Sequence, residues 1–280
     1  AGRVMTMGAV GRTETQLSLR IGIQNKKSTI TERYFTSPLK LGTPRSASDR
    51  LLIVLMMASA GVLKGDRFSY DIKCDSGTKS KITEQSYTKI FDTGDGAAFR
   101  KQQITLNGNA SLYYRPSAVI PFQNSTFDGE NDIYLDENSE FAWSDIMTAG
   151  RIAMNEQFLF KHYRNRVRVF INNKLIWMDH CLLEPAHMDT NGMLFFDQYT
   201  HQGTFYYYGA NNKQCQIFEW YKTYMESINK HHIEKMCKSQ AVRIGVSEAC
   251  RGICVRVLAN TAQDIEELFS ELASQLEIND

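Results

Sequence analysis

Alternation of apolar and polar residues is the dominant pattern between residue 17 and about residue 210. Val167, Val169 and Ile171 alternate with Arg166 and Arg168, so on a strand the apolar set faces one side and the arginines face the other. Clusters of Gly, Asn, Asp and Ser interrupt the runs at residues 75–77, 92–96, 107–109 and 172–173. Such clusters are typical of turns between strands. The pattern therefore predicts an all-β body.

Two helices are predicted after residue 210. Trp220, Tyr221 and Tyr224 follow helical spacing, which places them on one side of a helix. A second helix is predicted over residues 261–278, where Thr261 precedes Asp264 by three residues in an approximate capping box. Its apolar stripe consists of Ile265, Leu268, Phe269, Leu272 and Leu276.

The expected fold is mainly β: an elongated multi-stranded body, β-helix-like or barrel-like, with about two C-terminal α-helices. No repeat of fixed period, proline-rich linker or low-complexity block divides the sequence. We therefore expect one domain over residues 1–280. Its β body covers about 17–210 and its helical C-terminal part about 211–280.

Charge and composition exclude several classes of partner. The 280 residues include 32 Lys plus Arg and 31 Asp plus Glu, and this net charge of +1 predicts no nucleic-acid binding. The most apolar run, residues 51–63, is shorter than the roughly 20 residues of a membrane-spanning helix, so no membrane partner is expected. Six scattered cysteines and a charged N-terminal segment without a secretory signal predict a reduced, cytoplasmic protein.

Motifs for self-contained chemistry are absent from the sequence. No phosphate-binding loop is present, and Asp66 stands where such a loop has a lysine. Cys250 and Cys254 lack a second ligand pair at similarly short spacing. Asp66, Asp145 and Glu156 lie in or beside apolar segments and are the better candidates for acid–base chemistry. We expect no tightly bound cofactor, and a function that resides in surfaces engaging partners.

One predicted strand carries a polar row. If residues 83–91 form an unbroken strand, Thr83, Gln85 and Lys89 share one face. Arg151 belongs to the same set of candidate polar residues. The row suits either a wet passage or a buried hydrogen-bond network that fixes the β body, and the sequence leaves both open.

Two prolines mark a candidate partner surface. Pro116 and Pro121 interrupt any regular central strand, because proline lacks the ladder donor, and this predicts an exposed edge or loop. With Phe122 nearby, the segment is a candidate protein-binding surface. The alternative is a hydrophobic loop folded onto its own core.

Five segments together resemble the urease accessory protein family called UreD or UreH. The first is a glycine-rich segment ending in Gly-Asp-Arg at residues 61–67, and the second is a Thr-x-Gln-x-x-x-Lys pattern within residues 83–91. Residues 114–127 hold Tyr-Arg-Pro followed by Ile-Pro-Phe, and residues 150–160 hold Gly-Arg followed by a glutamate and two phenylalanines. Val-Arg-Val-Leu-Ala at 255–259 completes the set, and the similarity spans roughly residues 30–260.

The resemblance implies a non-enzymatic chaperone or scaffold in the complex that delivers nickel to apo-urease and matures its dinickel active site. It implies three partners, namely UreF, the GTPase UreG reached through UreF, and the urease apoprotein. The expected assembly is a hetero-oligomer such as a dimer of heterodimers. Nickel is then cargo in transit, and Asp66 and Glu156 are the candidate weak transit ligands, because scattered oxygen ligands release a divalent ion more readily than thiolates or imidazoles.

Two other functions remain open at this point. A carboxylate-dependent hydrolase requires Asp66 and Glu156 to converge in a closed, substrate-sized pocket. A protein-interaction scaffold unrelated to metal requires only a binding surface.

Overall fold

The computed structural model describes residues 14–47, 49–193, 195–209, 213–234 and 242–278. Within them the chain is mainly β, as predicted, with eighteen strands and two α-helices. The predicted domain ends at 1–13 and 279–280 lie outside the described residues. The strands of the β body are β1 (Glu14–Gln24), β2 (Lys27–Phe35), β3 (Leu39–Leu41), β4 (Arg45–Ala47), β5 (Arg50–Met57), β6 (Arg67–Cys74), β7 (Lys79–Gln85), β8 (Thr88–Ile90), β9 (Ala98–Leu106), β10 (Ser111–Arg115), β11 (Val119–Pro121), β12 (Thr126–Leu135), β13 (Glu140–Thr148), β14 (His162–Ile171), β15 (Lys174–Leu183) and β16 (His201–Tyr208).

The body is a β-solenoid whose coils alternate between two sheets, which is the β-helix-like form of the prediction. One sheet, here called sheet A, has the order β15-β14-β12-β9-β6-β1-β2. Sheet B contains β16-β13-β10-β7-β5-β3 along its main path. Strands β6, β9, β12 and β14 run parallel in sheet A, and β5, β7, β10 and β13 run parallel in sheet B. Each coil therefore contributes one strand to each sheet.

Side-chain alternation explains why the core lies between the sheets. In β12 and β14, Phe127 pairs with Tyr163 and Ile133 pairs with Val169, and all four are buried. Ile133 also pairs with Ile104 of β9, so equivalent inward positions form apolar rows from coil to coil. Stacking in rows lets coils of different sequence share one continuous core.

The alternating arginines lie on the outward face of sheet A, as predicted, and are partly exposed there. Three acidic residues of β12 lie directly opposite three arginines of β14, and each arginine is paired with an acidic residue. The cross-strand pairs are Asp128 with Arg164, Glu130 with Arg166, and Asp132 with Arg168. Opposite charges facing each other across a ladder stabilise that register.

Short turns close the solenoid at one end, and three of the four predicted turn clusters, at residues 75–77, 107–109 and 172–173, lie there, whereas residues 92–96 belong to a longer loop at the other end. Gly77 and Gly108 have φ of 79° and 57°, and Asn172 and Asn173 have φ of 50° and 60°. Glycine and asparagine tolerate this left-handed conformation best, which is why these residue types punctuate the sequence.

The C-terminal part contains more than the predicted helices. Helix α1 (Gln214–Glu234) is followed by the antiparallel strands β17 (Val242–Ala249) and β18 (Gly252–Ala259), which extend sheet B, and then by α2 (Ala262–Gln275). The strands form because alternate residues of β18, such as Val255 and Val257, pack in one cluster with Phe269 of α2. The predicted helix start is confirmed, since the Asp264 N–H donates to Thr261 Oγ1 over 3.2 Å. Among the described residues, no helix is long and apolar enough to cross a membrane.

Candidate functional site

Four loops lie side by side at the end of the solenoid opposite the short turns. They join strands of sheet B to strands of sheet A, and we call them together the loop rim. Seven of the nine predicted site residues lie on these loops, and Thr83 and Gln85 lie next to them at the end of β7. The four loops are residues 58–66, 86–97, 116–125 and 149–161.

Backbone hydrogen bonds fix the order of the loops. The Val62 N–H donates to the Lys89 carbonyl over 2.7 Å, which joins the first loop to the second. The Phe122 N–H donates to the Ile90 carbonyl over 2.9 Å, and the Asn124 N–H donates to the Leu159 carbonyl over 3.0 Å. The loops are thus as closely paired as the strands that they connect.

A row of side chains crosses the loop rim, and we call it the aromatic row. The Phe91 and Phe122 rings meet edge to face with centroids 4.9 Å apart. The Arg151 guanidinium lies 4.3 Å from the Phe122 ring centroid, within cation–π distance. Gly61 packs against the Phe91 end of the row. A Cβ at this position would press into the Phe91 ring and lie 2.6 Å from the Lys89 carbonyl oxygen. The Gly-containing first motif therefore makes room for the ring of the next coil.

Glu156 is held at the far end of the aromatic row. Both of its oxygens accept hydrogen bonds from Arg151, one of them from Nε over 2.7 Å. The hydrogen bond from Arg151 is the main reason that the pKa of Glu156 lies below its ordinary value. Gly150 has φ of 136°, and a Cβ there would overlap the Glu156 carbonyl, so the Gly150–Arg151 pair allows this tight loop.

Asp66 has a local structural contact of its own. Its Oδ2 accepts a hydrogen bond from the Leu63 N–H over 2.8 Å, and its carbonyl accepts the Phe99 N–H over 2.9 Å. Gly65, with φ of 84°, completes this turn before β6. The carboxylate therefore fixes the entry of the chain into sheet A.

Asp66 and Glu156 do not form a carboxylate pair. Asp66 belongs to the first loop of the rim and Glu156 to the fourth, three inter-strand steps apart. At about 4.8 Å per step, the two loops are roughly 14 Å apart. The hydrolase hypothesis requires the two carboxylates to converge in one pocket, and placement on two loops that are not neighbours does not favour it.

The predicted polar row is interrupted. Strand β7 ends at Gln85, Ser86 turns the chain with φ of 71°, and β8 begins at Thr88. The assumption of an unbroken strand over residues 83–91 is therefore wrong. The side chains of Gln85 and Lys89 are exposed, and the alternate residues Ser80 and Ile82 are the ones buried in the core.

The two prolines are buried, contrary to the expectation of an exposed edge. Pro116 and Pro121 lie on the third loop, which packs between the second and fourth loops, and Phe122 is half-buried in the aromatic row. Stacking of neighbouring coils covers a segment that would be exposed if it stood alone. The large apolar side chains that the rim does expose are Leu63 (56%), Tyr87 (47%), Met154 (66%) and Leu159 (46%).

The interior of the solenoid contains polar groups that the sequence reasoning missed or left unplaced. Glu84 of β7 and Arg100 of β9 form a buried ion pair, with 3.7 Å between Arg100 Nη1 and Glu84 Oε1. Asn165 Nδ2 donates to Asp145 Oδ2 over 2.8 Å. Burial, with the nearby charge of Asp179 as the next contribution, raises the pKa of Asp145 to about 7.

The apolar–polar alternation along β9 could have located one of these interior polar groups. Arg100 and Gln102 occupy the same alternate positions of β9 as the apolar Ala98 and Ile104, and all four are buried. A polar residue inside an apolar alternating set predicts an interior polar group.

No tight metal site is formed in the described part of the chain. Among these residues, no three His, Cys, Asp or Glu side chains lie close enough together to hold a metal ion. Cys74 is buried and Cys250 is exposed, and neither belongs to such a group.

Comparison with known proteins identifies the family. A sequence model described as UreD urease accessory protein matches residues 13–279. The urease accessory protein UreH of Helicobacter hepaticus is 34% identical over 249 residues, which cover 89% of this chain and 92% of that protein. UreH of Helicobacter pylori strain G27 is 32% identical over 263 residues, or 93% of each chain. UreD of Acetivibrio thermocellus is 28% identical over 263 residues, which cover 91% of this chain and 94% of that protein. Since the family model spans nearly the whole sequence, the chain belongs to the UreD urease accessory protein family.

Proposed function

We propose that this protein is a non-enzymatic accessory chaperone that helps to deliver nickel to apo-urease and so matures its dinickel active site. The observation that carries the proposal is the family match over residues 13–279, together with relatives named urease accessory proteins that align over about nine-tenths of the chain. The separation of Asp66 and Glu156 on the loop rim favours this role over a carboxylate-dependent hydrolase.

The proposed complex contains UreF, UreG and the urease apoprotein, and it acts in the cytoplasm as a hetero-oligomer such as a dimer of heterodimers. UreG supplies GTP hydrolysis. The division of labour is consistent with this sequence, which carries no phosphate-binding loop of its own.

We assign partner docking to the loop rim. Leu63, Tyr87, Met154 and Leu159 are exposed on the same loops that carry the aromatic row, and apolar side chains on an ordered frame are the kind of group that anchors a protein interface. Because the loops are joined by backbone hydrogen bonds, little conformational entropy is lost when a partner binds them.

Copurification tests the docking assignment. Met154→Asp and Leu159→Asp place charges on the rim, and we expect them to abolish copurification with tagged UreF or with urease. Met193→Asp is the matched control, because Met193 is 78% exposed outside the loop rim. Unchanged recovery of both partners with the rim variants, or equal loss with the control, contradicts the assignment.

Nickel transit is assigned to weak contacts with Asp66 and Glu156. Each carboxylate already has a protein donor, Leu63 N–H for Asp66 and Arg151 for Glu156, so a passing ion competes with these donors and is not trapped. Oxygen ligands at single positions suit a divalent ion in motion.

Urease maturation tests the transit assignment. Asp66→Ala and Glu156→Ala are expected to fold and to keep their partners, yet to lower the nickel content of co-expressed urease. Asp66→Asn adds a sharper variant, because its amide oxygen still accepts the Leu63 N–H while the charge is lost. Asp132→Asn is the control: like Glu156 it is paired with an arginine, but it lies on the outer face of sheet A. Fully loaded urease with both alanine variants overturns the assigned transit role.

A further inference from the structure

Sheet B is two strands wider than sheet A at one end of the solenoid. Sheet A ends at β15, which lies over β16, because the Trp177 ring stacks on the Tyr206 ring with centroids 4.0 Å apart. Sheet B continues past β16 with β18 and then β17. In the described part of the chain, sheet A has no strand beyond β15 to cover these two. Their inner face therefore forms a step beside the free edge of β15, and we call it the ledge.

The surface of the ledge is open. Arg243, Gly245 and Ser247 are exposed on β17, whereas the alternate residues Ile244 and Val246 pack on the other face in the cluster that contains α1. A Cβ on Gly245 would meet no atom within 4 Å. A groove of about 350 Å³ lies between the end of β15 and the ledge, and its lining includes Leu183, Phe195, Phe196, Gln202, Arg243 and Arg256.

The edge of β15 is unprotected along most of its length. On the last strand of a sheet, alternate backbone N–H and C=O groups point away from the sheet and can pair with another strand. Lysine, proline and bulges commonly block such pairing. Strand β15 begins with Lys174 and has a register shift before Trp177, but residues 177–183 pair regularly with β14 and include neither lysine nor proline. On the outer face of this stretch, Met178 and Leu182 are 50% and 39% exposed.

The charges of the ledge indicate what an added strand carries on its inward side. Two ion pairs lie here, Arg256 with Asp179 of β15 and Arg243 with Asp197. The two arginine side chains are 50% and 49% exposed, whereas their aspartate partners are 13% and 34% exposed. The accessible part of each pair is thus the guanidinium, whose five donors allow it to bind a second carboxylate. The ledge therefore favours an acidic inward face.

A second copy of this chain does not fit against the edge. The β15 of that copy would bring its own β16, which lies beneath β15. The space beneath an added strand is already taken by β18 of the first copy. The ledge is two strands wide, or about 10 Å, so it has room for one extended segment or a hairpin.

We propose that an extended segment of a partner protein adds to sheet A at the edge of β15 and lies over the ledge. Its acidic side chains face Arg243 and Arg256, and its apolar side chains lie beside Met178 and Leu182. In this mode of recognition main-chain hydrogen bonds supply affinity, and alternate side chains supply specificity. The surface shares no residue with the loop rim, so it is a second contact that does not depend on the docking assigned there.

Fluorescence anisotropy with labelled model peptides tests the proposal on the full chain. The peptide Thr-Val-Glu-Val-Glu-Val-Glu-Val-Thr has the required alternation and is expected to bind saturably, with a dissociation constant on the order of 100 μM. Two control peptides should bind at least about tenfold more weakly. One has lysine in place of each glutamate and is repelled by the arginines, and the other is methylated on its three central backbone nitrogens and cannot donate to β15.

Variants of the ledge locate the binding. Gly245→Tyr places a ring in the open space and should weaken binding of the Val–Glu peptide at least about tenfold. Glu248→Tyr is the matched control, because Glu248 is exposed on the opposite face of β17, and its affinity should equal that of the wild type. Arg243→Gln removes one exposed guanidinium and should lower affinity by about three- to fivefold. Met154→Asp in the loop rim should leave peptide binding unchanged.

Four results overturn the proposal: no saturable binding of the Val–Glu peptide, equal or tighter binding of either control peptide, full binding to Gly245→Tyr, or equal loss in Glu248→Tyr or Met154→Asp. Ser247→Tyr on the same exposed face repeats the test if Gly245→Tyr does not fold. Sedimentation of the chain alone identifies a different occupant. A dimer that Gly245→Tyr dissociates would mean that a second copy occupies the ledge, and this result also overturns the proposal.

Discussion

Asp145→Asn is expected to make stability less dependent on pH. Asp145 lies on β13, and its Oδ2 accepts a hydrogen bond from Asn165 on β14 across the core. Burial raises the pKa of this carboxyl from its ordinary 3.8 to about 7, and the charge of Asp179 contributes in the same direction. The amide oxygen of asparagine can accept the same hydrogen bond, so the substitution removes the titration and keeps the packing.

The sign and size follow from the two pKa values. Between pH 3.8 and about 7 the unfolded chain releases a proton that the folded chain retains, so the wild-type protein loses stability as the pH rises through this window. Each unit of pKa difference corresponds to about 1.4 kcal/mol, which gives an upper limit of about 4 kcal/mol, reached near pH 7 and nearly constant above it. Because asparagine does not titrate, the advantage of Asp145→Asn in free energy of unfolding should grow by roughly 2–3 kcal/mol from pH 5 to pH 8.

Urea unfolding followed by circular dichroism at several pH values between 5 and 8 measures this advantage. Asp92→Asn is the control. The stability contributed by Asp92 should depend on pH in the opposite direction, because the hydrogen bond from the Gly94 N–H lowers the pKa of Asp92. Its carboxylate stabilises the fold at neutral pH, and that contribution is lost only as the pH falls through the lowered pKa. A constant advantage of Asp145→Asn at all pH values, or a less stable variant at pH 8, refutes the reasoning, since either result means that Asp145 is ionised and stabilised in the folded protein.

Three further substitutions have defined outcomes in thermal or urea unfolding. Gly61→Ala should destabilise by about 1–3 kcal/mol, because the new Cβ presses into Phe91, whereas Gly245→Ala meets open space and should change stability by less than about 1 kcal/mol. Thr261→Ala removes the side-chain cap of α2 and should cost about 1 kcal/mol. Arg168→Ala breaks a partly exposed ion pair and should cost no more than about 1 kcal/mol, with the loss reduced by added salt.

The sequence predicted the elements whose signal is local. Alternation placed Arg166 and Arg168 on the outer face of a strand, and the Thr261 cap with its apolar stripe located the last helix. The sequence analysis did not predict the hairpin of β17 and β18, because the burial of its apolar face depends on another element of the fold. Its apolar face is covered by α2, and that contact is visible only after the chain has folded back on itself.

The loop rim shows what local reasoning cannot supply. Pro116 and Pro121 indicated an exposed segment, but the neighbouring coils cover them, and no pattern within the third loop contains that information. The aromatic row has the same origin: Gly61, Phe91 and Phe122 lie about 30 residues apart in sequence and meet only because each coil adds one loop to the rim. A coil-length repeat of apolar residues could have revealed the row, but loops of unequal length obscure the period.

The interior charges are not explained by stability alone. A buried ion pair such as Glu84 and Arg100 contributes little to stability compared with apolar residues of similar size, and the raised pKa of Asp145 predicts that this carboxyl costs stability at neutral pH. Replacing Glu84 and Arg100 together by Gln and Met removes both charges and leaves neither ion unpaired, so the variant should unfold at nearly the wild-type urea concentration. It should also copurify with UreF as the wild-type chain does, because neither residue is among the exposed side chains of the loop rim. Loss of UreF from a variant that still folds would contradict the assignment of docking to the rim alone.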